Sequence, residues 1–261
     1  ESRQLMQAAD LKDLAYAKQL LENPGLAIKL ANYLGYPIEK AVNFIPASWA
    51  QSIIKITQGS LMHALNFAVT TLENRKQASS EVFHKLSVAA TGALGGAFGL
   101  AALGVELPVT TVIMLRSIAD IARSEGEDVG AVETKIGCLQ VFALGGKSGR
   151  DDASEVGYFA IRSALAKQVS EAVRYITQRG LVEEGAPAII RLITVISSRF
   201  GVTVTEKVAA QAVPVVGAAG GLLVNSVFMD HFQNMARGHF IVRRLERAYG
   251  IDTVERRYNN I

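Results

Sequence analysis

The sequence predicts an all-α fold, a single compact multi-helix bundle with two central Gly/Ala-rich helices. Apolar residues recur at a spacing near 3.6, and no stretch of convincing length alternates between apolar and polar residues as a strand would. The apolar mass is mainly Ala, Val, Leu, Ile and Gly, because 49% of the residues are hydrophobic but only 7% are aromatic. No charged or Ser/Pro-rich linker divides the chain, so residues 1–261 are expected to form one domain.

Proline and glycine divide the N-terminal half into predicted helices. The sequence "NPG" is expected to end the first helix, and Gly35 the second, because proline interrupts a helix and glycine suits its end. Apolar residues between Ile53 and Leu72 follow a helical period, and Pro108 is expected to open a helix because proline fits the first turn. The predicted helices are Leu11–Leu21, Leu26–Tyr33, Ser48–Asn74, Ser79–Leu103 and Pro108–Arg123.

Loops rich in glycine and charge divide the C-terminal half in the same way. The chain is expected to turn at "SEGED" and to form a loop at "GGKSGRDD". The stretch from Gly180 to Gly185 is expected to break a helix. Pro214 and the glycines near position 220 are expected to interrupt the last helix. The predicted helices are Ala131–Leu144, Glu155–Arg179, Ala188–Phe200 and Thr205–Tyr249.

Two long stretches of the sequence carry no charge, from Leu86 to Val105 and from Val208 to Met229. Each is as long as the roughly 20 residues that cross a bilayer core. Both stretches are richer in glycine and alanine than in leucine, and the second contains Gln211 and Pro214. This composition argues against a simple membrane span.

Glycines in these two stretches are spaced four residues apart, a GxxxG pattern. The spacing lets another backbone approach one helix face closely, and it needs such a contact because each glycine costs a helix about 1 kcal/mol relative to alanine. Three interpretations stay open, namely a buried pair of core helices, a membrane-inserting hairpin and a lipid-exposed groove. The glycines predicted to form this helix-packing face or lipid wall are Gly92, Gly95, Gly96, Gly99, Gly217, Gly220 and Gly221.

Polar residues follow the first glycine-rich stretch. Glu106 is expected at the N-terminus of the next helix, where free backbone N–H groups favour a carboxylate. Arg116 and Asp120 are four residues apart and are expected to pair along that helix, as are Arg123 and Glu127. These charges either cap a break and bridge neighbouring helices or hold a headgroup or a water. The candidate polar site comprises Glu106, Thr110, Thr111, Arg116, Asp120, Asn225 and His239.

The last predicted helix carries Asn225, His239 and Glu246 within an otherwise apolar stripe. A histidine bonded to a neighbouring helix is the plainer interpretation of His239, and contact with Glu106 across the bundle is the functional one. No metal is expected, because His231 and His239 are two helical turns apart and form no HExxH pattern.

No cofactor is expected either. Residues 145–148, "GGKS", end like a phosphate-binding loop, but Val141 stands where that loop requires glycine. Cys138 is the only cysteine, lies in an apolar run, and is interpreted as a small buried hydrophobe. No serine stands in a GxSxG sequence, so a hydrolase triad has no support.

The net charge of +3 is mild, and the basic residues form no long run with interleaved aromatics, so nucleic acid is not an expected partner. The most basic part of the chain is "RGHFIVRRLERAYGIDTVERRY" near the C-terminus. It is interpreted as a solvated helix face or as a surface that meets anionic lipid headgroups.

Three stretches resemble the bacterial EcsC family: "GALGGAFGLAALGVELPVTTVIMLRSIADIARSEGEDV", "CLQVFALGGKSGRDDASEVGYFAIR" and "TEKVAAQAVPVVGAAGGLLVNSVFMDHFQNMARGHFIVRRLERAYG". The E-L-P-x-T-T…L-R-S-I-A-x-x-A core is the most specific part of this resemblance. The family takes its name from a protein encoded beside an ABC transporter, and its biochemical role is largely undefined. The resemblance therefore implies membrane-related work and supplies no catalytic residues.

We expect a helical protein at the cytoplasmic face of the bacterial inner membrane, attached peripherally. It would bind lipid or insert a glycine-rich hairpin to assist an envelope or transport process, with membrane lipid and a transporter or envelope protein as partners. One alternative is an enzyme acting on a lipid or other amphiphile, with Glu106 as general base near His239 or Arg116. Another is a structural module whose glycine face docks a helix of a partner protein.

Overall fold

The structure is a computed structural model that describes residues 6–22, 25–72, 100–146, 157–180, 182–183, 185–213 and 217–261. These residues form ten α-helices and two short 3₁₀ turns, at Val42–Phe44 and Ala47–Trp49, and contain no strand, which confirms the predicted all-α class. The α-helices are α1 Ala8–Glu22, α2 Leu26–Leu34, α3 Ile38–Ala41, α4 Ala50–Thr71, α5 Leu100–Ser124, α6 Val132–Leu144, α7 Tyr158–Arg179, α8 Pro187–Gln211, α9 Gly217–Tyr249 and α10 Ile251–Asn259.

Glycine ends two of the helices where the sequence predicts it. Gly35 after α2 has φ 64°, and its N–H donates to the carbonyl of Ala31 at 2.9 Å. Gly180 after α7 has φ 71° and closes the helix through the carbonyl of Ile176. Residues other than glycine rarely adopt this left-handed backbone, so these ends are encoded locally.

Two predicted helix boundaries are wrong. Pro108 lies inside α5 rather than at its start. Its missing N–H leaves the carbonyl of Gly104 unpaired within the helix, and because Gly104 is exposed, water can satisfy that carbonyl. Gly201 does not end a helix, since α8 continues through it. The buried neighbours Phe200 and Val204 offset the roughly 1 kcal/mol that glycine costs a helix interior.

Helices α5 and α9 run parallel. Gln233 of α9 donates to Ser117 of α5 at 2.9 Å. Ten residues later in each segment, Arg243 of α9 donates at 2.8 Å to Glu127, which follows α5. The contacts therefore advance in the same direction on both helices. As a result, the two helices begin at one end of the bundle and reach the other end together.

Helix α4 has the same direction. Phe67 and Thr71, near its C-terminus, line a common cavity with Arg116 and Ser124, near the C-terminus of α5. The first turns of α4, α5 and α9 therefore lie at the same end, which we call the apolar end after its exposed side chains Ile54, Val105 and Leu222. The opposite end, which we call the charged end, carries the ion-paired residues Glu125, Glu127, Arg243, Arg244 and Arg247.

The core centres on aromatic side chains between α6, α8 and α9. Phe142, Phe200, Phe228 and Phe232 contact one another with ring centroids 4.9 to 6.2 Å apart. Helix α6 is buried on every side from Thr134 to Leu144. A helix that is apolar all round needs neighbours on all faces, and α4, α5, α7, α8 and α9 all contact it.

Two described helical stretches, Ala102–Ser124 and Pro187–Gln211, are long and apolar enough to cross a membrane by length and composition, with half of each buried in the fold. They are not the two charge-free stretches of the sequence. Val208–Met229 is split between α8 and α9, as Pro214 predicts. Most of Leu86–Val105, with Gly92, Gly95, Gly96 and Gly99, lies outside the described residues.

Close helix packing is found at a different glycine from those predicted. A Cβ added to Gly221 would meet no described atom within 4 Å, so Gly221 makes no close approach to another described helix. The side-chain surroundings of Gly217 and Gly220 lie outside what the structure describes. A Cβ added to Gly238 would lie 2.7 Å from the side chain of Leu21 and 3.0 Å from the carbonyl of Ala17. Gly238 therefore lets α9 lie directly against α1.

Candidate functional site

The predicted polar site is divided among separate places. Glu106 and Asp120 both lie on α5, and fourteen residues of helix separate them by about 21 Å. Asn225 and His239 are separated by the same distance along α9. The prediction that these residues form one site is therefore wrong. Residues far apart on one helix face lie close together only when the helix is viewed down its axis.

Glu106 pairs with a lysine that sequence reasoning did not identify. Lys207 of α8 is fully buried, and its Nζ lies 2.6 Å from Glu106 Oε1 and 5.0 Å from the centre of the Phe228 ring. The Glu106 side chain is 28% exposed, so its carboxylate contacts solvent while it pairs with the buried ammonium. The expected role of Glu106 at a helix N-terminus is wrong, since α5 already begins at Leu100, six residues earlier.

The two threonines that follow Glu106 are buried in α5. Thr111 donates its hydroxyl to the carbonyl of Leu107 at 2.7 Å, within its own helix. Thr110 is 8% exposed. A hydroxyl bonded one turn back is satisfied locally, so Thr111 has no free donor for a ligand.

Arg116 and Asp120 do not form the predicted pair. Asp120 Oδ1 lies 2.5 Å from Arg123 Nη1, one residue nearer along the helix. The Arg116 guanidinium lies 5.8 Å from the centre of the Phe67 ring of α4. Arg116, Asp120 and Arg123 line a cavity of about 670 Å³ between α4 and α5.

His239 belongs to a buried chain of hydrogen bonds between α7 and α9. Its Nδ1 lies 2.8 Å from the hydroxyl of Tyr158, which also accepts from Arg162 at 3.3 Å. Arg162 is bound by both carboxylate oxygens of Glu246, at 2.6 and 3.0 Å. Arg162 can only donate, whereas either Tyr158 or His239 can be the donor in the bond between them, depending on the histidine tautomer. His239 Nε2 is buried without a hydrogen-bond partner among the described residues.

Burial sets the protonation of this chain. Desolvation, with Arg162 and Arg243 nearby, holds the pKa of His239 well below its usual value, and desolvation raises the pKa of Tyr158. Both groups are therefore neutral at pH 7. The hydrogen-bond chain joins α7 and α9, as the plainer interpretation of His239 predicts, and Glu106 is bound elsewhere to Lys207. The enzyme hypothesis that combines Glu106 with His239 is therefore wrong.

Asn225 lies in the N-terminal part of α9. Its side chain is half-buried, and its Oδ1 is buried without a hydrogen-bond partner among the described residues. Fourteen residues separate it from His239, so it does not join the histidine chain.

The double glycine of "GGKS" closes helix α6. Arg199 Nε donates to the carbonyl of Ala143 at 2.9 Å, and its Nη2 donates to the carbonyl of Gly146 at 2.6 Å. His231 Nε2 bonds the carbonyl of Gly145 at 2.9 Å. Cationic and imidazole donors thus satisfy the carbonyls at the C-terminus of α6. Within the described residues, no group of three metal-ligating side chains is present.

Three of the six arginines in the basic C-terminal stretch are ion-paired at the charged end. Both carboxylate oxygens of Glu127 bind Arg243, and Arg247 binds the same carboxylate. Arg244 binds Glu125 at 2.8 Å and Asp13 of α1 at 2.6 Å. The predicted Arg123–Glu127 pair is therefore wrong, and the arginines of α9 do not form a free basic face.

Burial alone would raise the pKa of the Glu127 carboxyl. The hydrogen bonds and charges of Arg243 and Arg247 outweigh this effect, so the pKa lies below its usual value. Sequence reasoning missed this network, although the acidic turn "SEGED" and the arginines of the last helix were its visible signals.

Comparison with known proteins identifies one family. The family model described as the EcsC protein family matches residues 32–245, most of the chain. No curated protein and no solved structure matches the sequence. The matched range includes Glu106 with Lys207 and most of the α7–α9 hydrogen-bond chain.

Proposed function

The chain belongs to the EcsC protein family, and from its apolar end we propose that it attaches peripherally to a membrane. Val105 and Leu222 are 63% and 65% exposed at that end, and Ile54, in the second turn of α4, is 48% exposed. Their placement at one end of three parallel helices is the observation that carries the proposal. Isolated exposed apolar residues are common, but several at one end of a bundle favour contact with lipid or protein.

The charge pattern supports the same orientation. In sequence, Glu106 ends one charge-free stretch and Lys207 begins the other, and the two form an ion pair beneath the apolar end. A charge that approaches lipid is less costly when it is paired than when it is alone. The two stretches can therefore approach hydrocarbon without an isolated charge at the borders that Glu106 and Lys207 form.

The charged end supplies the opposite polarity. Glu106 and Glu125 are nineteen residues apart along α5 and the turn that follows it, about 29 Å at 1.5 Å per residue. With the apolar end in lipid, the arginine and carboxylate network stays in water. Because Arg243, Arg244 and Arg247 are already ion-paired, attachment depends on apolar burial more than on attraction to anionic lipid.

The strength of attachment follows from the side chains involved. Burying a valine or leucine contributes about 1.5–3 kcal/mol, so Val105 and Leu222 together contribute about 3–6 kcal/mol. This is comparable to the marginal binding of a single lipid chain, and the protein is expected to bind reversibly.

Vesicle co-sedimentation tests the proposal. The wild-type protein is mixed with phosphatidylcholine vesicles, with and without phosphatidylglycerol, at low and high salt. Val105→Asp and Leu222→Asp are each expected to lower the bound fraction about tenfold or more. Ile251→Asp is the matched control, because Ile251 is 58% exposed on α10, beyond the charged end.

Equal binding by wild type and both apolar-end variants would contradict the proposal. If the wild type and both variants bind vesicles at low salt but not at high salt, the membrane contact is made by the basic residues instead. Capture of a transporter or envelope protein by the wild type, lost in Val105→Asp and without vesicle binding, would favour the docking module. In the bacterium, recovery in the membrane fraction that a high-pH wash releases is expected for peripheral inner-membrane attachment.

A further inference from the structure

A cavity of about 670 Å³ opens between the C-terminal halves of α4 and α5. Its lining combines the apolar side chains of Phe67, Leu72 and Ala119 with the charged side chains of Arg116, Asp120 and Arg123. Sites for small organic ligands commonly have this size and combine apolar walls with a few placed polar groups. None of these side chains belongs to the Glu106–Lys207 pair or to the His239 chain.

Arg116 stands in this cavity without an acceptor. It forms no hydrogen bond or ion pair with any described residue, and its Nη1 is buried without a partner. Its contact is with the face of the Phe67 ring, which holds the guanidinium in place without using its N–H groups. A guanidinium offers five donors in a fixed fork, and leaving them unpaired away from bulk water is costly.

The carboxylate nearest in sequence is already in use. Asp120 is bound by Arg123, and its side chain is 73% exposed. The two arginines and one aspartate therefore give the cavity a net charge of +1. An anionic group that reaches Arg116 meets one bound carboxylate and two cations.

We propose that this cavity binds a phosphate group of an organic ligand, with Arg116 as its principal donor. The guanidinium fork matches the oxygens of a phosphate bidentately, and a second arginine suits the additional negative charge that a phosphate carries relative to a carboxylate. The apolar wall of Phe67, Leu72 and Ala119 contacts the carbon part of the ligand. The cavity is large enough for both parts.

The phosphate has two sources, a soluble phosphate ester or a lipid headgroup. The lipid source rests on the proposed membrane attachment, whereas the phosphate site itself does not. Arg116 is eleven residues from Val105, about 17 Å along α5. If Val105 enters the membrane by about 10 Å, Arg116 stands within the headgroup layer.

Calorimetric titration with inorganic phosphate and with glycerol 3-phosphate, at constant ionic strength, tests the site. Arg116→Gln is expected to weaken binding of glycerol 3-phosphate at least tenfold, and Arg116→Lys to weaken it less because the charge remains. Arg256→Gln removes the same charge from an exposed position on α10 and is expected to leave binding unchanged.

Asp120→Asn provides a test with the opposite sign. It removes the negative charge from the cavity and releases Arg123, so it is expected to strengthen binding about two- to threefold. Because Asp120 is mostly exposed, this variant folds even if Arg116→Gln does not. A role for Arg116 in folding alone would produce no such gain.

Vesicles of phosphatidylcholine with and without phosphatidic acid identify the source. If phosphatidic acid increases vesicle binding by the wild type but not by Arg116→Gln, the phosphate comes from a lipid headgroup. If glycerol 3-phosphate binds Val105→Asp as tightly as wild type, and phosphatidic acid does not change vesicle binding, the phosphate comes from a soluble ester. In that case the phosphate site stands even if membrane attachment fails. No binding of either phosphate form by the wild type, or equal binding by Arg116→Gln and Arg256→Gln, would overturn the proposal.

Discussion

The buried ion pair beneath the apolar end predicts an asymmetric response to mutation. Glu106→Gln leaves the fully buried Lys207 ammonium with the Phe228 ring and a neutral amide, and without the carboxylate charge that balances it. Lys207→Met replaces the ammonium with an apolar group of similar length, and the partly exposed Glu106 carboxylate can turn to water. The glutamate variant is therefore expected to be the less stable of the two.

The magnitude follows from burial. Removing one partner of a buried pair costs about 3–5 kcal/mol, and because the Glu106 side chain is 28% exposed, water reduces the cost toward the lower value. Glu106→Gln is thus expected to destabilise the fold by about 3 kcal/mol, or to lower Tm by about 6–12 °C. Lys207→Met is expected to cost about 1 kcal/mol, and the double variant to lie close to wild type.

Urea unfolding followed by circular dichroism at pH 7 measures these differences, provided the m-value stays constant. Glu171→Gln is the matched control, because Glu171 pairs with Arg191 at the surface and such pairs contribute about 0–1 kcal/mol. A Glu106→Gln variant that loses no more stability than Glu171→Gln would refute the reasoning, as would single variants whose effects simply add in the double variant.

Three further predictions concern other buried groups. Burial lowers the pKa of His231 from 6.5 to about 4, so the unfolded chain binds more protons than the folded chain between these pH values. The free energy of unfolding therefore falls by about 1.4 kcal/mol per pH unit as pH decreases through that window. His231→Gln is expected to flatten this slope in urea titrations at several pH values. Gly146→Ala places a Cβ 2.1 Å from the carbonyl of Arg199 and is expected to cost about 1–3 kcal/mol, whereas Gly201→Ala meets no atom and is expected to raise Tm. Glu127→Gln is expected to cost about 1.5–3 kcal/mol at pH 7 and nothing once pH falls below the lowered carboxyl pKa, which calorimetry at both pH values would detect.

The sequence predicts the local features of this fold well. Helical periodicity identifies α4 and α6, and glycines locate the ends of α2 and α7, because these signals act within one or two turns. Pro108 misleads since its cost is outweighed by the burial of the helix around it, which no local pattern reveals. The predicted i,i+4 pairs fail for a similar reason, because closer or better-placed partners compete for Asp120 and Glu127.

The long-range contacts could not be predicted from local spacing. Glu106 and Lys207 are 101 residues apart, and nothing near either residue identifies the other. One sequence feature does relate them, because each is the charge that borders a long charge-free stretch. Two apolar segments that meet in a bundle bring their bordering charges together, and opposite signs then allow those charges to be buried as a pair.

The same pair connects the stability of the fold with the proposed attachment. If Glu106 and Lys207 only neutralise each other, the double variant Glu106→Gln/Lys207→Met keeps both the fold and vesicle binding, because the apolar end retains Val105 and Leu222 and loses no net charge. A stable double variant that no longer binds vesicles would instead require the ammonium or the carboxylate to contact lipid directly. Because the charge balance and the exposed side chains are matched between wild type and double variant, the comparison separates neutralisation from recognition. The complete burial of the Lys207 side chain favours neutralisation.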